Sequence, residues 1–216
     1  MIQATTLPAD TATLTVKDLG KRFNREWIFR RLDYTFSPGH RYAITGPNGS
    51  GKSTLLQVLW GQLPPSAGTL HYQFAGAETP IDEVYKHLAL ATPYMDLIDE
   101  FTLRELLDFH FKLRPRRYNI STDELLDVLY LKSSQDKAIS NFSSGMRQRV
   151  KLALAFYTEA DLVFLDEPGT NLDRQAFTWY LDQLAKLPSH CTVFIASNDA
   201  EEYPNASHVL NIMDLK

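Results

Sequence analysis

The chain has 216 residues, 44% of them hydrophobic, with 22 lysines and arginines against 26 aspartates and glutamates for a formal net charge of −4. That is enough for one large domain, or a core with a small lobe, and the acidic balance excludes a global attraction to nucleic acid or to an anionic membrane surface. A single cysteine, Cys191, excludes an internal disulfide, is expected to pack as a small hydrophobe, and points to a reducing compartment. Met1 to Ala12 lacks a basic region followed by an apolar core, so no secretory signal is expected. No apolar run approaches the length that spans a bilayer, so work at a membrane would need spanning segments from another chain.

In chain order, Leu14-Thr15-Val16 reads as a short strand, and Trp27-Ile28-Phe29 and Leu32 to Phe36 as two more. Ser37-Pro38-Gly39-His40 is a turn, and Arg41 to Thr45 an apolar strand. Gly46-Pro47-Asn48-Gly49-Ser50-Gly51-Lys52-Ser53 follows, with a helix expected from Thr54 to Trp60. Strand, glycine-rich turn and helix is the context that makes this spacing a phosphate-binding loop. Glycines let backbone N–H groups close around a phosphate, and the helix N-terminus adds partial positive charge. In that reading Lys52 reaches the β- and γ-phosphates, Ser53 ligates Mg²⁺, and Thr54 completes the nucleotide-binding set.

Pro64 to Gly68 breaks the chain before a strand at Thr69 to Phe74, Gly76 to Asp82 reads as loop, and His87 to Ala91 as a buried strand. From Tyr94 the character turns helical. Thr102 and Glu105 fit a capping box for a helix with Leu103, Leu106, Leu107 and Phe111 on its apolar face. Ser121 or Thr122 caps a second helix carrying Leu125, Leu126 and Leu129. Arg114-Pro115-Arg116-Arg117 reads as a solvated basic loop, with a binding patch as the other reading. Leu162 to Leu165 is then an apolar strand ending in Asp166-Glu167. A helix from Arg174 to Lys186, a buried strand from Cys191 to Ala196, and a closing strand at His208 to Ile212 complete the chain. Alternating strands and helices argue for an α/β sheet with a substantial parallel portion. An acidic strand end is the expected partner of a phosphate loop: Asp166 would hold Mg²⁺, directly or through water, and Glu167 would face the attacking water, as general base or to orient it.

Asn141-Phe142-Ser143-Ser144-Gly145-Met146-Arg147-Gln148-Arg149, shortly before that strand, resembles the signature motif of ABC-type ATPases. Nearly the whole chain fits the same pattern, with Thr170-Asn171-Leu172-Asp173 where the family has its aspartate loop. The resemblance implies a P-loop NTPase core (1–93 and 159–216) with a mixed or parallel sheet. It adds an N-terminal antiparallel β subdomain and an inserted helical subdomain (94–158). It implies ATP and Mg²⁺ as cofactors and a head-to-tail dimer of identical or different subunits. In such a dimer Ser143, Ser144, Gly145 and Met146 of one copy meet the ATP held by the phosphate loop of the other, with Asp173 at the junction. Phe23 falls where the family stacks an aromatic on adenine; a core phenylalanine is the other reading. The sequence departs at three places. Ser144 and Met146 replace the usual glycine and glutamine, Thr92-Pro93-Tyr94 stands at the family's glutamine loop, and Asn198 replaces a histidine that contacts the γ-phosphate. The function implied is that of the ATP-binding subunit of a transporter, cytoplasmic and peripheral on the inner face of the membrane through a separate permease. The alternatives are a soluble assembly ATPase and a slow or non-hydrolysing regulatory module.

Overall fold

The computed structural model describes residues 12–216; Met1 to Thr11, on which the expectation about a secretory signal rests, lies outside them. In chain order the elements are β1 (Ala12–Phe23), β2 (Glu26–Phe36), β3 (Arg41–Thr45), α1 (Lys52–Leu59), β4 (Ala67–Phe74), β5 (Ala77–Thr79) and β6 (Leu88–Ala91). There follow α2 (Leu103–Leu113), α3 (Thr122–Val128), α4 (Ser144–Tyr157), β7 (Leu162–Asp166), α5 (Arg174–Lys186), β8 (Thr192–Ala196) and β9 (His208–Asn211). The described residues divide into two compact units. One is drawn from 12–88, 160–167 and 188–216, the other from 89–159 and 168–187.

The first unit holds an antiparallel sheet in the order β2-β1-β4-β5. Leu14 pairs with Phe36 on one side and Tyr72 on the other, and all three side chains are buried. The short strands expected at 14–16, 27–29 and 32–36 are in fact parts of two long ones. Register shifts on both sides of Leu19, with Asp18 at φ +46° and Arg31 at φ +58°, mark bulges that break the alternation without ending the strands. The loop expected over Gly76 to Asp82 also needs correction. Ala75 and Gly76, at φ +51° and +77°, form a tight hairpin that returns Ala77–Thr79 against Tyr72–Phe74.

In the same unit β7, β8, β3 and β9 lie side by side, all parallel. Val163, Phe164 and Leu165 are fully buried, and Phe164 stacks on Phe194 with centroids 4.5 Å apart. Ile44 and Asp166 both register with Ala196, so β3, β7 and β8 end level. That common carboxyl edge is where open parallel sheets place their ligands. Cys191 packs in this unit as expected, buried with its thiol toward the Ala160 carbonyl.

The second unit is helical. Thr102 and Glu105 form the capping box of α2, and Ser121 with Glu124 forms that of α3. Leu103, Leu106 and Leu107 are buried, while Phe111 is half-buried with the Arg116 guanidinium over its ring. The solvated-loop reading of Arg114 to Arg117 is corrected for two members. Arg117 is buried with Nε donating to the Phe156 carbonyl at 3.1 Å, and Arg116 donates to Ile120 O and to Thr122 Oγ1. Arg117 thus supplies a donor to a buried carbonyl, and Arg116 adds one to Thr122 Oγ1, which itself donates to Asp108 Oδ1.

Candidate nucleotide site

The phosphate loop runs from the end of β3 into α1. The helix begins at Lys52, two residues before the expected start, so Lys52 and Ser53 occupy its first turn, where N–H groups have no intrahelical partner. Gly51 caps it at φ +108°, and a Cβ there would lie 2.2 Å from Ile28 Cγ2, so both conformation and space demand glycine.

Lys52 is buried, its Nζ donating to the Gly46 carbonyl at 3.0 Å and lying 3.4 Å from a Glu167 carboxylate oxygen. The ammonium is thus held over the loop by groups that a phosphate could replace. Ser53 Oγ donates to Asp166 Oδ1 at 3.0 Å. Asp166 is 1% exposed, and burial pushes its carboxyl up to about 6; the nearby Glu167 charge pushes the same way, while the Ser53 hydrogen bond and Lys52 pull it down. A serine hydroxyl beside one buried carboxylate is a hard-oxygen pair suited to Mg²⁺, whose remaining positions phosphate and water would fill. The bound ion would offset the charge that burial makes costly.

Glu167 directly follows β7 in a left-handed turn, φ +50°, its N–H donating to the Ala196 carbonyl at 2.9 Å. Such a conformation is costly for a non-glycine residue and gathers at functional sites. It takes Glu167 out of the strand's alternation and leaves its side chain within reach of Lys52. Asn198, exposed just past β8, donates from Nδ2 to Asn48 Oδ1 of the phosphate loop at 3.3 Å. The structure therefore brings Asn48, Lys52, Ser53, Asp166, Glu167 and Asn198 together at one sheet edge.

Phe23 belongs to the same unit. It is 47% exposed at the end of β1, with Lys21 Nζ 5.2 Å from its ring centroid, so the core reading is set aside. The signature residues and Asp173 belong to the other unit. Ser143 is the N-cap of α4, its Oγ accepting from the Met146 N–H at 3.2 Å, and Ser143 and Ser144 are exposed. A Cβ on Gly145 would meet the Asn171 carbonyl oxygen at 2.6 Å, so glycine is required by the close approach of that loop. Asp173 caps α5, accepting from the Ala176 N–H at 2.7 Å.

Three contacts escaped the sequence reading. Buried Gln148 donates to the Pro168 carbonyl at 2.9 Å, and Lys151 Nζ donates to the carbonyls of Thr92 and Pro93 at 3.2 and 3.0 Å. The third is the Asn48–Asn198 pair. Two of the three end on backbone carbonyls, which leave no trace in residue type. Gln148 alone carried a signal, as a polar residue on the inward face of α4.

The ABC transporter family profile matches residues 29–170. The Nod factor export ATP-binding protein I of Burkholderia lata is 30% identical over 195 residues, 88% of this chain and 64% of that one. The daunorubicin resistance ATP-binding protein DrrA3 of Streptomyces coeruleorubidus is 30% identical over 210 residues, 95% of this chain and 66% of that one. The chain thus spans about two thirds of the length of these relatives. A solved ATP-binding subunit of an ABC transporter superposes with a TM-score of 0.76 at 23% identity, over 92% of this chain and 87% of that one, a likeness of fold. By that family match over residues 29–170, this chain belongs to the ABC transporter family.

Proposed function

We propose that the chain binds and hydrolyses MgATP as the ATP-binding subunit of an exporter whose membrane-spanning part is a separate permease. The observation that carries this is the pairing of Lys52 with Glu167 beside that of Ser53 with Asp166. One ammonium waits for phosphate, one hydroxyl–carboxylate pair for a cation, and one carboxylate stands next to both. Mg²⁺, once bound, would neutralise phosphate charge. When the γ-phosphate draws Lys52 away, Glu167 is released to take a proton from water. The water oxygen attacks the γ-phosphorus, the bond to the β,γ-bridging oxygen breaks, and ADP leaves with that electron pair. Ser143, the N-terminus of α4 and Gly145 would contact the γ-phosphate of a second copy, making ATP the glue of a head-to-tail dimer. Phe23 would stack on adenine and Asp173 would lie at the junction. Export is favoured by the relatives named for export and drug resistance. Among the described residues no helix is long and apolar enough to cross a membrane, which fits a separate permease.

The test uses Glu167→Gln, which keeps the shape and removes the base. Turnover should fall by about 10²–10⁴, MgATP should still bind, and the ATP-loaded chain should run as a dimer. Purified from its own cells with ATP in mild detergent, it should retain a multi-span membrane protein in stoichiometric amount. Unchanged turnover would remove Glu167 from the mechanism. A stoichiometric soluble partner with nothing integral to the membrane would replace the transporter reading by an assembly ATPase.

A further inference from the structure

Behind the phosphate loop lies a second set of contacts that the nucleotide chemistry does not use. After β9 the chain makes a 3-10 turn, Ile212–Leu215, capped by Asn211 Oδ1 accepting from the Met213 N–H at 3.0 Å. Ile212 is fully buried against the loop. Its Cγ2 would stand 2.8 Å from a Cβ on Gly46, and its Cδ1 3.4 Å from one on Gly51. The next residue beyond the turn, Lys216, sends its ammonium to two carbonyls at once, Ser50 O at 2.7 Å and Ile28 O at 2.8 Å. These partners lie 166 and 188 residues away in sequence. Ile28 is also the residue whose Cγ2 lies 2.2 Å from the position of a Gly51 Cβ. The Ser50–Gly51 peptide is therefore gripped on its carbonyl side by a cation and walled by two isoleucines.

A trans peptide is planar, and its N–H points opposite to its C=O. Fixing the Ser50 carbonyl toward Lys216 fixes the Gly51 N–H away from it. A cation on the carbonyl also polarises the peptide and makes that N–H a stronger donor. At φ +108° and with no side chain, Gly51 could otherwise swing this peptide with little resistance.

We infer that Lys216 is a positioning residue for the phosphate-binding loop, holding and polarising the Ser50–Gly51 peptide so that the Gly51 N–H is presented to a bound phosphate. The inference rests on the nucleotide-binding reading for its consequence, and on the geometry alone for the polarised peptide. The experiment compares the parent with Lys216→Met, which keeps the aliphatic stem, and Lys216→Arg, which keeps the cation. Without nucleotide, the Gly51 amide proton should resonate upfield in Lys216→Met and stay near its parent position in Lys216→Arg. The dissociation constant for MgATP should rise about fivefold in Lys216→Met, a share of one charge-assisted hydrogen bond on an exposed side chain, and return toward parent in Lys216→Arg. A parent-like Gly51 signal in Lys216→Met overturns the inference. So does a weakened affinity that arginine fails to rescue. Should Lys216→Met not fold, Lys216→Gln against Lys216→Arg compares a neutral donor with the cation and carries the same expectations. A parent chain that binds no MgATP overturns the nucleotide reading, and the Gly51 resonance then decides the brace by itself.

Discussion

Asp166 is held where burial costs the folded chain stability. Its carboxyl titrates near 6 in the folded chain against an ordinary 3.8. Between those values the folded chain keeps a proton that the unfolded chain has released, so stability falls as pH rises through that window, and the loss is complete above it. Asp166→Asn should therefore make the nucleotide-free protein more stable at pH 7.5 by about 2–3 kcal/mol, with the gain gone near pH 4, while the Mg²⁺ dependence of ATP binding disappears. Urea unfolding at the two pH values reads the first, and ATP titrations with and without Mg²⁺ read the second; equal stability at pH 7.5 would refute the burial argument. Asn198 raises a different question. Its amide can donate to a phosphate oxygen, as it now donates to Asn48, but it cannot become cationic. Asn198→His should speed turnover about tenfold, the value of making one hydrogen bond charge-assisted, and more so below pH 6.5 than above it. A fast parent that gains nothing from histidine would show that asparagine already suffices.

At the level of elements, α2 carries the clearest pH dependence. His110 Nε2 lies 2.7 Å from Thr158 Oγ1, and that hydroxyl gives its own hydrogen to the Leu154 carbonyl at 2.6 Å, so the imidazole must be the donor. Burial first, and then the Arg114 charge, push its titration down to about 4 from 6.5. Below 6.5 the unfolded chain takes up a proton that the folded chain refuses until about 4, so stability present above 6.5 is lost as pH falls through that range. His110→Gln keeps a donor without titrating. It should recover roughly 1 kcal/mol at pH 5, seen as a flatter acid limb in thermal melts; an unchanged limb would place the acid sensitivity elsewhere. Both capped helices could be read from sequence because a cap is a local device: Thr102 with Glu105 for the first, and Ser121 or Thr122 for the second, which the structure resolves to Ser121 paired with Glu124. The full length of β1 and β2 could not, because bulges at Asp18 and Arg31 interrupt the alternation that identifies a strand. Nor could the hairpin at Ala75-Gly76, whose left-handed alanine is not a usual turn signal. The grouping of Lys52, Ser53, Asp166 and Glu167 was legible as motif spacing. The Asn48–Asn198 contact and the Lys151 clamp on Thr92 and Pro93 were not, since nothing in residue type announces an amide or carbonyl partner far along the chain.

For the molecule as a whole, the division into two units gives the proposed dimer a directional signature. The phosphate loop and the strand end at Asp166 belong to one unit, the signature residues Ser143 to Met146 to the other. MgATP bound to a single copy should slow amide exchange over 46–53 and leave the N-terminus of α4 unchanged. In the Glu167→Gln dimer the slowing should extend to 143–146. Protection at both places in dilute monomer, or at neither in the dimer, would contradict head-to-tail pairing. The buried thiol bears on the same question in another way. Cys191 is the sole sulfhydryl of the chain and is 3% exposed, its sulfur facing the Ala160 carbonyl inside the parallel-sheet unit. Toward thiol reagents the native surface is therefore silent. A cysteine introduced at the exposed Ser144 would stand as the one accessible thiol on each copy, and spin labels placed there would report the approach of two subunits against no background.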